Sequence, residues 1–370
     1  MLDAIGWSCA LWTLAPCMYA ASAAAGPQQV LELTPSADNP RNSEGDFIAL
    51  ADGRLLFVYT HFTGGGGDES AAFLASRVSA DGGQTWSGED AIVLPNEGGC
   101  NVMSVSLLRL QSSEIALFYL RKNTEFDDCI LYLRRSMDEG QSWSEPVRCI
   151  QRDGFFVVNN NRVIQLKSGR LVIPAALHGL KGAKSIGRGT AMCFLSDDNG
   201  ATWYQSTTEL TGPPKSRSGL QEPDVTELKD GRLLMLFRTD QGCQLCSHSA
   251  DGGVTWSPVR TTSLQSPVSP ASVERIPSTG DLIVVWNDHS DIDVGLLEKR
   301  TPLKVAISRD EGLTWEHIKT VEDDPGGWYC YTAIAFAQDH VLLGYCAGQQ
   351  STGGLNRTQI TRIPVAWLYE

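Results

Sequence analysis

The sequence of 370 residues predicts an all-β fold, and within that class a six-bladed β-propeller. Two observations predict it. The phrase Ser-x-Asp-x-Gly-x-(Thr/Ser)-Trp occurs five times, and the serines that begin successive copies lie 57, 60, 53 and 59 residues apart. A regular period of this size is the signature of a repeat architecture. Six turn-then-strand segments also alternate with these phrases, whereas helical patterns are almost absent.

Each copy of the phrase has the composition of a tight turn. Its Asp or Asn side chains can accept hydrogen bonds from nearby backbone N–H groups, and its Gly can adopt a positive φ. Strand-like residues come before it, so it is predicted to join two strands of a hairpin, with the Trp packed on them. We therefore expect its aspartates to be structural rather than catalytic. The copies are Ser79–Trp86, Ser136–Trp143, Ser196–Trp203, Ser249–Trp256 and Ser308–Trp315.

The second set of segments gives the number of blades. There are six of them, one more than the phrases: Asp52–Tyr59, Ser112–Leu120, Ser168–Ala175, Asp230–Arg238, Thr279–Trp286 and Gln338–Tyr345. Six sheets of about four short strands, arranged radially, make a six-bladed propeller. The unmatched sixth segment fits a last blade completed by a strand from the other end of the chain, which leaves no sheet edge open. A β-sandwich is the rival fold, but nothing in a sandwich demands a long repeat of this kind.

Composition and charge restrict the partners. Charged residues make up 20% and hydrophobic residues 42% of the chain, as in an ordinary globular protein, and 36 Gly and 10 Trp suit turns and blades. The formal net charge of −13 argues against nucleic acid as a partner, since phosphate binding needs clustered Lys and Arg. Beyond the N-terminus, no segment is long and apolar enough to span a membrane. We expect one propeller domain over residues 26–370, acting as a monomer.

The N-terminal residues 1–25 differ from the rest. From Ile5 to Ala25 they are small and apolar, and they end in Ala-Ser-Ala-Ala-Ala-Gly. This pattern predicts a signal peptide with an Ala-x-Ala cleavage site, and hence a secreted or periplasmic protein, although a basic n-region is missing. A disordered or mis-started leader is the alternative.

The cysteines and histidines predict neither a metal site nor a cofactor. Ten cysteines leave eight after removal of the leader, and their pairing cannot be read from the sequence. Cys243 and Cys246 form a single CxxC without a second pair, so a zinc site is not expected. The histidines fit no ligand spacing.

Candidate site residues are polar side chains near strand ends that the local structure does not need. They are Arg41, Asp68 (after the glycine run Gly64–Gly67), Glu222, Arg238, Arg300 and Tyr331. Glu227 is an alternative to Glu222 as the inward-facing residue. Asn161 and Arg162 belong to a further polar cluster before a strand, for which substrate contact and a turn are both open.

These residues carry a resemblance to a known family. The repeated phrases resemble the Asp-box (BNR) repeats of sialidases (neuraminidases), and the order Arg, Asp, Glu, Arg, Arg, Tyr resembles the active site of the exo-α-sialidases. The resemblance covers nearly all of residues 30–370. It implies that Arg41, Arg238 and Arg300 bind the substrate carboxylate and that Asp68 is the acid/base. It also implies that Glu222 activates a Tyr331 nucleophile, with Tyr329 as an alternative.

The chemistry of a sialoside agrees with this set. Its anomeric carbon bears a carboxylate, which arginine side chains bind through paired N–H donors. A carboxylate nucleophile would be repelled by this substrate, whereas a neutral Tyr is not, and sialidases depart from two-carboxylate glycosidase chemistry in this way. We therefore expect a retaining exo-α-sialidase that acts on sialylated or other acidic glycans and releases sialic acid or a related nonulosonic acid.

Two departures from the family pattern surround Arg41. The family begins its site with Arg-Ile-Pro, whereas this chain has Arg41-Asn42-Ser43-Glu44. Sialidases commonly follow their last strand with Tyr-Glu, whose Glu supports the first Arg, but here the pair is Tyr345-Cys346, and Glu44 is a candidate substitute. Both departures keep two alternatives open. One is a propeller glycosidase or lyase for another acidic sugar, such as a uronic-acid polymer, and the other is a non-catalytic carbohydrate-binding propeller.

Overall fold

Six groups of about four antiparallel strands form the protein. The computed structural model describes Met1 and residues 25–370, so the signal-peptide prediction for residues 1–25 lies, apart from its two end residues, outside the described residues. The strand β1 (Gln28–Leu33) comes first and belongs to the last blade. Blade 1 contains β2 (Arg41–Ala49), β3 (Leu55–Phe62), β4 (Ala72–Ser79) and β5 (Ala91–Leu94). Blade 2 contains β6 (Asn101–Arg109), β7 (Ile115–Lys122), β8 (Cys129–Ser136) and β9 (Val147–Arg148).

A short strand joins blades 2 and 3 into one sheet. It is β10 (Phe155–Val157), which pairs in parallel with β8 and antiparallel with the second strand of blade 3. Blade 3 contains β11 (Ile164–Gln165), β12 (Leu171–Gly179), β13 (Thr190–Ser196), β14 (Tyr204–Gln205) and β15 (Leu210–Thr211). Both β14 and β15 pair with β13, so they share the outer position.

The remaining blades close the ring. Blade 4 contains β16 (Gln221–Glu227), β17 (Leu233–Arg238), β18 (Cys243–Ser249) and β19 (Arg260–Gln265). Blade 5 contains β20 (Ser272–Arg275), β21 (Leu282–Asn287), β22 (Leu303–Ser308) and β23 (Glu316–Glu322). Blade 6 contains β24 (Gly327–Ala337), β25 (His340–Gln349), β26 (Thr358–Pro364) and β1. The predicted all-β propeller is therefore confirmed.

The closure of blade 6 explains why five phrases accompany six blades. Each phrase begins on the last residue of the third strand of a blade and leads to the fourth strand. In blade 6 the fourth strand is β1, which pairs with β26 from the other end of the chain. That blade has no hairpin between its third and fourth strands, so it has no place for a sixth phrase. The predicted closing strand is thus present, and it covers the edge that β26 would otherwise expose.

The five phrases are hydrogen-bonded turns, as predicted. In each one the buried serine hydroxyl donates to the aspartate and accepts the N–H of the glycine four residues after the serine. In the fourth copy, Ser249 Oγ lies 2.8 Å from Asp251 Oδ1 and 2.9 Å from the nitrogen of Gly253. The other oxygen of Asp251 accepts from the Thr255 hydroxyl at 2.5 Å. These bonds close within six residues, so the local sequence is enough to specify the turn.

We expect Ser249→Ala to destabilise the fold and leave catalysis unchanged. Ser249 is 1% exposed, and its loss leaves the Gly253 N–H without its acceptor. Two lost hydrogen bonds at a buried position should lower the free energy of unfolding by about 1–2 kcal/mol. Urea unfolding measures this change, and turnover per folded molecule is the control because the turn does not line the cavity described below. An unchanged unfolding midpoint would contradict the structural role of the serine.

The six predicted turn-then-strand segments form the second strand of each blade. These strands are almost entirely buried, because blades pack against one another on both faces. Buried apolar side chains from neighbouring blades accordingly form shared clusters rather than one core. The described residues hold only three short 3-10 helices, at Val294–Leu296, Gln350–Thr352 and Val365–Tyr369. No helix among residues 25–370 is long and apolar enough to cross a membrane.

The first strands of the blades meet around the central axis and are bonded to one another there. Asp46 on β2 accepts the N–H of Leu107 in blade 2 at 2.7 Å. Asp224 on β16 accepts the N–H of Val273 in blade 5 at 2.8 Å. The hydroxyl of Ser272 donates to the carbonyl of Thr332 in blade 6 at 2.6 Å. Polar residues on the axis therefore hold the ring of blades together.

Candidate active site

A cavity of about 370 Å³ opens where the first strands of blades 1, 2, 4 and 6 come together. This volume lies within the range of sites for small ligands. Charged and polar groups line one part of it: Glu44, Asp68, Glu69, Ser104, Lys122, Glu125, Asn159, His178, Gln221, Glu222, Arg238 and Tyr331. Apolar groups line the rest: Met103, Leu120, Phe126, Cys129, Phe155, Val157 and Ile186.

A recurring β-bulge aims side chains into this cavity. The strand pairs β2–β3, β6–β7, β16–β17 and β24–β25 each contain a register shift. Within each shift one residue has a positive φ, at Glu44 (52°), Ser104 (57°), Glu222 (43°) and Tyr331 (58°). All four side chains line the cavity. A left-handed backbone is costly for residues other than glycine, and such strain is typical of functional sites.

Arg41 lies beneath the cavity between two carboxylates. Its Nη1 is 2.6 Å from Asp68 Oδ1, and its Nη2 is 3.3 Å from Glu44 Oε1. Its guanidinium also lies 4.5 Å above the Phe62 ring. Burial opposes the charge of Arg41, but Asp68 and Glu44 raise its pKa above the ordinary value, so it remains a cation. Burial raises the pKa of Glu44 to about 6, although Arg41 acts against this.

Glu222 connects Arg238 with Tyr331. Arg238 Nη1 lies 2.6 Å from Glu222 Oε1, and the Tyr331 hydroxyl donates to the same oxygen at 3.3 Å. Burial favours a neutral Glu222, but Arg238 and Arg300 together lower its pKa below the ordinary value. Burial, together with the Glu222 charge, raises the pKa of Tyr331. The resting pair is therefore a carboxylate that accepts a hydrogen bond from a neutral phenol.

Arg300 contacts the other side of Tyr331. Its guanidinium lies 5.2 Å from the Tyr331 ring and 5.3 Å from the Trp328 ring, and the residue is 6% exposed. Within the described residues, Nε and Nη1 of Arg300 have no hydrogen-bond partner. Buried guanidinium donors of this kind lack the partners that they normally have in folded proteins. An anionic group that reached them would supply these partners.

Asp68 completes the set on a loop between β3 and β4. Its side chain is 60% exposed and reaches Arg41 from the loop that follows Gly64–Gly67. Burial within the site acts to raise its pKa, but Arg41, Lys122 and Arg300 lower it below the usual value. Asp68 is therefore ionised while the site is empty. Four of the six predicted residues, Asp68, Glu222, Arg238 and Tyr331, thus line the cavity. Arg41 and Arg300 do not line it, but they contact Asp68 and Tyr331, respectively.

Other candidates lie away from the cavity. Arg162 is fully buried and bonds to Asp224 at 3.0 Å and to the carbonyl of Ala271 at 3.0 Å. Asn161 donates to Asp46 at 2.9 Å and accepts the N–H of Ile334 at 2.9 Å. Both residues join inner strands of different blades and do not line the cavity. The proposed site therefore does not include the substrate contact predicted for Asn161 and Arg162.

The two alternative assignments also point away from the cavity. Glu227 accepts the N–H of Lys167 at 2.9 Å and does not line the cavity. The Tyr329 ring packs edge-on against Tyr345, 6.3 Å between ring centres, and it does not line the cavity either. Tyr329 and Tyr331 would lie on the same face of a regular strand, but the bulge at Tyr331 turns their side chains in different directions. Glu222 and Tyr331 are therefore the residues that meet.

Sequence reasoning missed several lining residues. Glu44 was considered only as a substitute partner of Arg41, and Lys122, Ser104 and His178 were assigned no role. Glu44 and Ser104 occupy the bulge position that Glu222 occupies in its own blade, which the structure shows and the sequence does not. Burial lowers the pKa of His178, and its Nε2 has no partner within the described chain. Nothing in the local sequence marks His178 or Lys122.

The described residues show free thiols and no metal cluster. All eight cysteines between residues 25 and 370 are unpaired. Two of them, Cys330 and Cys346, lie opposite each other on β24 and β25, where they pack with Tyr331 but form no disulfide. No group of three His, Cys, Asp or Glu side chains in this range is arranged to hold a metal ion.

Comparisons with known proteins identify the family of this chain. The profile of the BNR repeat-like domain matches residues 62–345. An anhydrosialidase of Macrobdella decora is 27% identical over 232 residues, which cover 56% of this chain and 28% of that protein. A sialidase of Micromonospora viridifaciens is 26% identical over 330 residues, which cover 79% of this chain and 46% of that protein. This chain thus spans less than half the length of either relative.

A solved structure supports the fold. The leech intramolecular trans-sialidase, complexed with 2,7-anhydro-Neu5Ac, superposes with a TM-score of 0.71 and 16% identity, covering 93% of this chain and 71% of that one. At this identity the likeness establishes the architecture alone. With the profile match over most of the chain, the protein belongs to the BNR repeat-like domain family of the sialidase superfamily.

Proposed function

We propose that the protein is a retaining exo-α-sialidase that releases sialic acid or a related nonulosonic acid from the ends of glycan chains. One observation carries the proposal. The Tyr331 hydroxyl donates to Glu222 in the same cavity as Asp68, and Arg300 contacts the ring of that tyrosine. The names of the relatives, anhydrosialidase and sialidase, support the same class of reaction.

Recognition of a sugar acid follows from the three arginines. Arg300 has free buried donors, and Arg238 and Arg41 each have a buried Nε without a partner within residues 25–370. Guanidinium groups bind carboxylates through paired N–H donors and stay charged at any working pH. Three such groups at one site in a protein of formal net charge −13 make a local positive field for an anionic substrate.

The first half of the proposed reaction forms a bond from the Tyr331 oxygen to the anomeric carbon. Glu222 accepts the phenolic proton as that bond forms, since Glu222 Oε1 already accepts the hydrogen bond. The glycosidic C–O bond breaks with its electron pair on the leaving oxygen, and Asp68 donates a proton to that oxygen. Arg238 and Arg300 stabilise the negative charge that Glu222 and Tyr331 share during proton transfer.

Asp68 must bind a proton before it can donate one. In the empty site it is ionised because it pairs with Arg41 at 2.6 Å. A substrate carboxylate bound to Arg41 competes for the same guanidinium, and this weakens the pair and raises the pKa of Asp68. In the second half Asp68 takes a proton from water, whose oxygen attacks the anomeric carbon. The bond to Tyr331 breaks with its electron pair on the phenolic oxygen, which takes back the proton from Glu222. Two displacements at one carbon give net retention of configuration.

The test is hydrolysis of a fluorogenic α-sialoside by the purified chain. Proton NMR of the early reaction mixture should show the α-anomer of the free sugar acid first, followed by slow mutarotation to the β-anomer. Fluorogenic α- and β-glucuronides serve as matched acidic controls, and we expect them to be turned over much more slowly. Initial release of the β-anomer would contradict the double displacement.

The remaining alternatives correspond to other outcomes of this test. Turnover of a uronide without turnover of the sialoside would indicate a glycosidase for another acidic sugar. An unsaturated product that absorbs ultraviolet light would indicate a lyase. Saturable binding of the sialoside by folded protein, with no turnover of any substrate, would indicate a carbohydrate-binding propeller. Each of these outcomes would overturn the proposed reaction.

A further inference from the structure

The loop that carries Asp68 is closed by backbone hydrogen bonds from Ser70 to Gly67 and from Thr63 and Gly64 to Ala71, none of which involves Asp68 itself. Four consecutive glycines, Gly64–Gly67, come directly before it, and glycine loses more conformational entropy on ordering than any other residue. Gly65 has φ 144°, which side chains rarely tolerate. The Asp68 side chain is 60% exposed, so packing does not fix it either. Contacts from outside the loop must therefore hold this carboxylate at the site.

Blade 2 supplies such contacts to the backbone of Asp68. Lys122 Nζ donates to the Asp68 carbonyl at 3.0 Å, and Asn101 Nδ2 donates to the same oxygen at 2.8 Å. Asn101 also donates to the carbonyl of Ser70 at 2.8 Å. Lys122 and Asn101 are direct partners across β7 and β6. A cross-strand pair of one blade thus holds the catalytic loop of the blade before it.

The burial of Lys122 is unusual for its residue type. The residue is 4% exposed, lines the cavity and forms no ion pair within the described chain. Its ammonium lies 5.1 Å from the centre of the Phe155 ring. Burying a cation without a counter-charge is costly, and lysine ordinarily keeps its ammonium in water. The acceptor that Lys122 reaches instead is the Asp68 carbonyl.

The same ammonium acts on the charge of Asp68. The positive groups that face this carboxylate are Arg41 from β2, Lys122 from β7 and Arg300 from the segment before β22, and all three lower its pKa. Glu44 from β2 faces it with the opposite sign, and the cavity wall also carries Glu69 and Glu125. Arg41 also donates to the Gly66 carbonyl of this loop at 3.3 Å, whereas Lys122 donates to the carbonyl of Asp68 itself.

We infer that Lys122 is a positioning residue for the acid/base of this site: with Asn101 it fixes the backbone of Asp68. Its positive charge also favours the ionised form of Asp68. This inference rests on the proposed function for its catalytic consequence, whereas the anchoring of the loop does not depend on it.

Three variants separate the hydrogen bond from the charge. Lys122→Met keeps the length and the apolar contact with Phe155 but removes both donor and charge. Lys122→Gln keeps a neutral donor, and Lys122→Arg keeps donor and charge. Circular dichroism and thermal unfolding identify any variant that fails to fold, in which case Lys122→Gln replaces Lys122→Met as the test of charge.

The first measurement is amide hydrogen exchange over residues 64–70, which needs no activity. We expect exchange there to be at least about tenfold faster in Lys122→Met than in the wild type, with Lys122→Arg close to the wild type.

The second measurement is the pH dependence of kcat on the sialoside. Removal of the positive charge raises the pKa of Asp68, so the basic limb should move up by about half a pH unit or more in Lys122→Met and Lys122→Gln. We expect kcat to fall about 10- to 100-fold in Lys122→Met, with a much smaller change in KM.

The outcomes are distinguishable. Unchanged exchange over residues 64–70 in folded Lys122→Met would overturn the anchor, whatever the substrate. Faster exchange with an unchanged basic limb in both neutral variants would overturn the effect on Asp68 protonation. A wild type that hydrolyses no sialoside would instead contradict the proposed function, and the exchange measurement would still decide whether Lys122 holds the loop.

Discussion

Tyr331→Phe should abolish turnover of an α-sialoside while leaving the protein folded. The substitution removes the phenolic oxygen, which is the proposed nucleophile, and its hydrogen bond to Glu222 at 3.3 Å. Loss of a nucleophile that reacts as a unit with its base should lower kcat on the order of 10³-fold or more. Binding should be nearly unaffected, because Arg41, Arg238 and Arg300 keep their positions. Single-turnover kinetics and calorimetric titration with a sialic acid analogue would measure the two effects separately.

Tyr329→Phe is the matched control for this result. Tyr329 is two residues earlier on the same strand, is 3% exposed and packs against Tyr345 outside the cavity. We expect this variant to keep wild-type turnover per folded molecule. If Tyr329→Phe were inactive and Tyr331→Phe active, the assignment of the nucleophile would be reversed. If both kept full activity, the reaction would not use a tyrosine nucleophile.

Arg300→Lys should produce the second largest effect, and it should act on substrates that bear a carboxylate. Lysine keeps the positive charge but cannot present two parallel N–H donors to a planar anion. Loss of two charge-assisted hydrogen bonds costs about 2–4 kcal/mol, which corresponds to a decrease in kcat/KM of roughly 30- to 10³-fold. Steady-state kinetics on the sialoside and on its methyl ester would measure the effect, because the ester lacks the anionic group.

Two comparisons distinguish carboxylate binding by Arg300 from a structural role of this residue. Arg217→Lys changes an arginine whose side chain is 94% exposed, and it should leave kcat/KM unchanged. For Arg300→Lys, the loss should be much smaller on the methyl ester than on the free acid. An equal loss on both substrates would mean that Arg300 supports the Tyr331 ring, from which it lies 5.2 Å, rather than binding the carboxylate.

The structure explains how this chain, which departs from the family pattern around Arg41, still supplies a carboxylate to that residue. The family pattern supplies a glutamate after its last strand, but Cys346 occupies that position here and contacts Ser43 at 3.4 Å. Glu44 instead reaches Arg41 at 3.3 Å and is held by a short hydrogen bond from Ser104. A carboxylate can reach the same guanidinium from either strand because β2 and β25 are in contact at this place. This chain therefore keeps a carboxylate on Arg41 by a different route.

The architecture was predictable because its determinants are local and repeated. Each Asp-box turn closes through hydrogen bonds within six residues, as from Ser249 to Thr255, so every copy specifies its own hairpin. Each second strand is a continuous apolar run that a blade must bury. The count of six segments against five phrases even indicated the closing strand, since a blade completed from the other chain end has no such hairpin.

The candidate site was predictable only in part. The sequence by itself determined the six blades and, through the order of Arg41, Asp68, Glu222, Arg238, Arg300 and Tyr331, the residues of the proposed site. The tertiary structure alone decided that Arg162 joins blades at the axis and that Tyr331 faces the cavity where Tyr329 does not. It also decided that Lys122 reaches Asp68, 54 residues away. The reason is physical: bulges re-aim side chains by a change of register, and contacts between blades join residues that no local pattern relates.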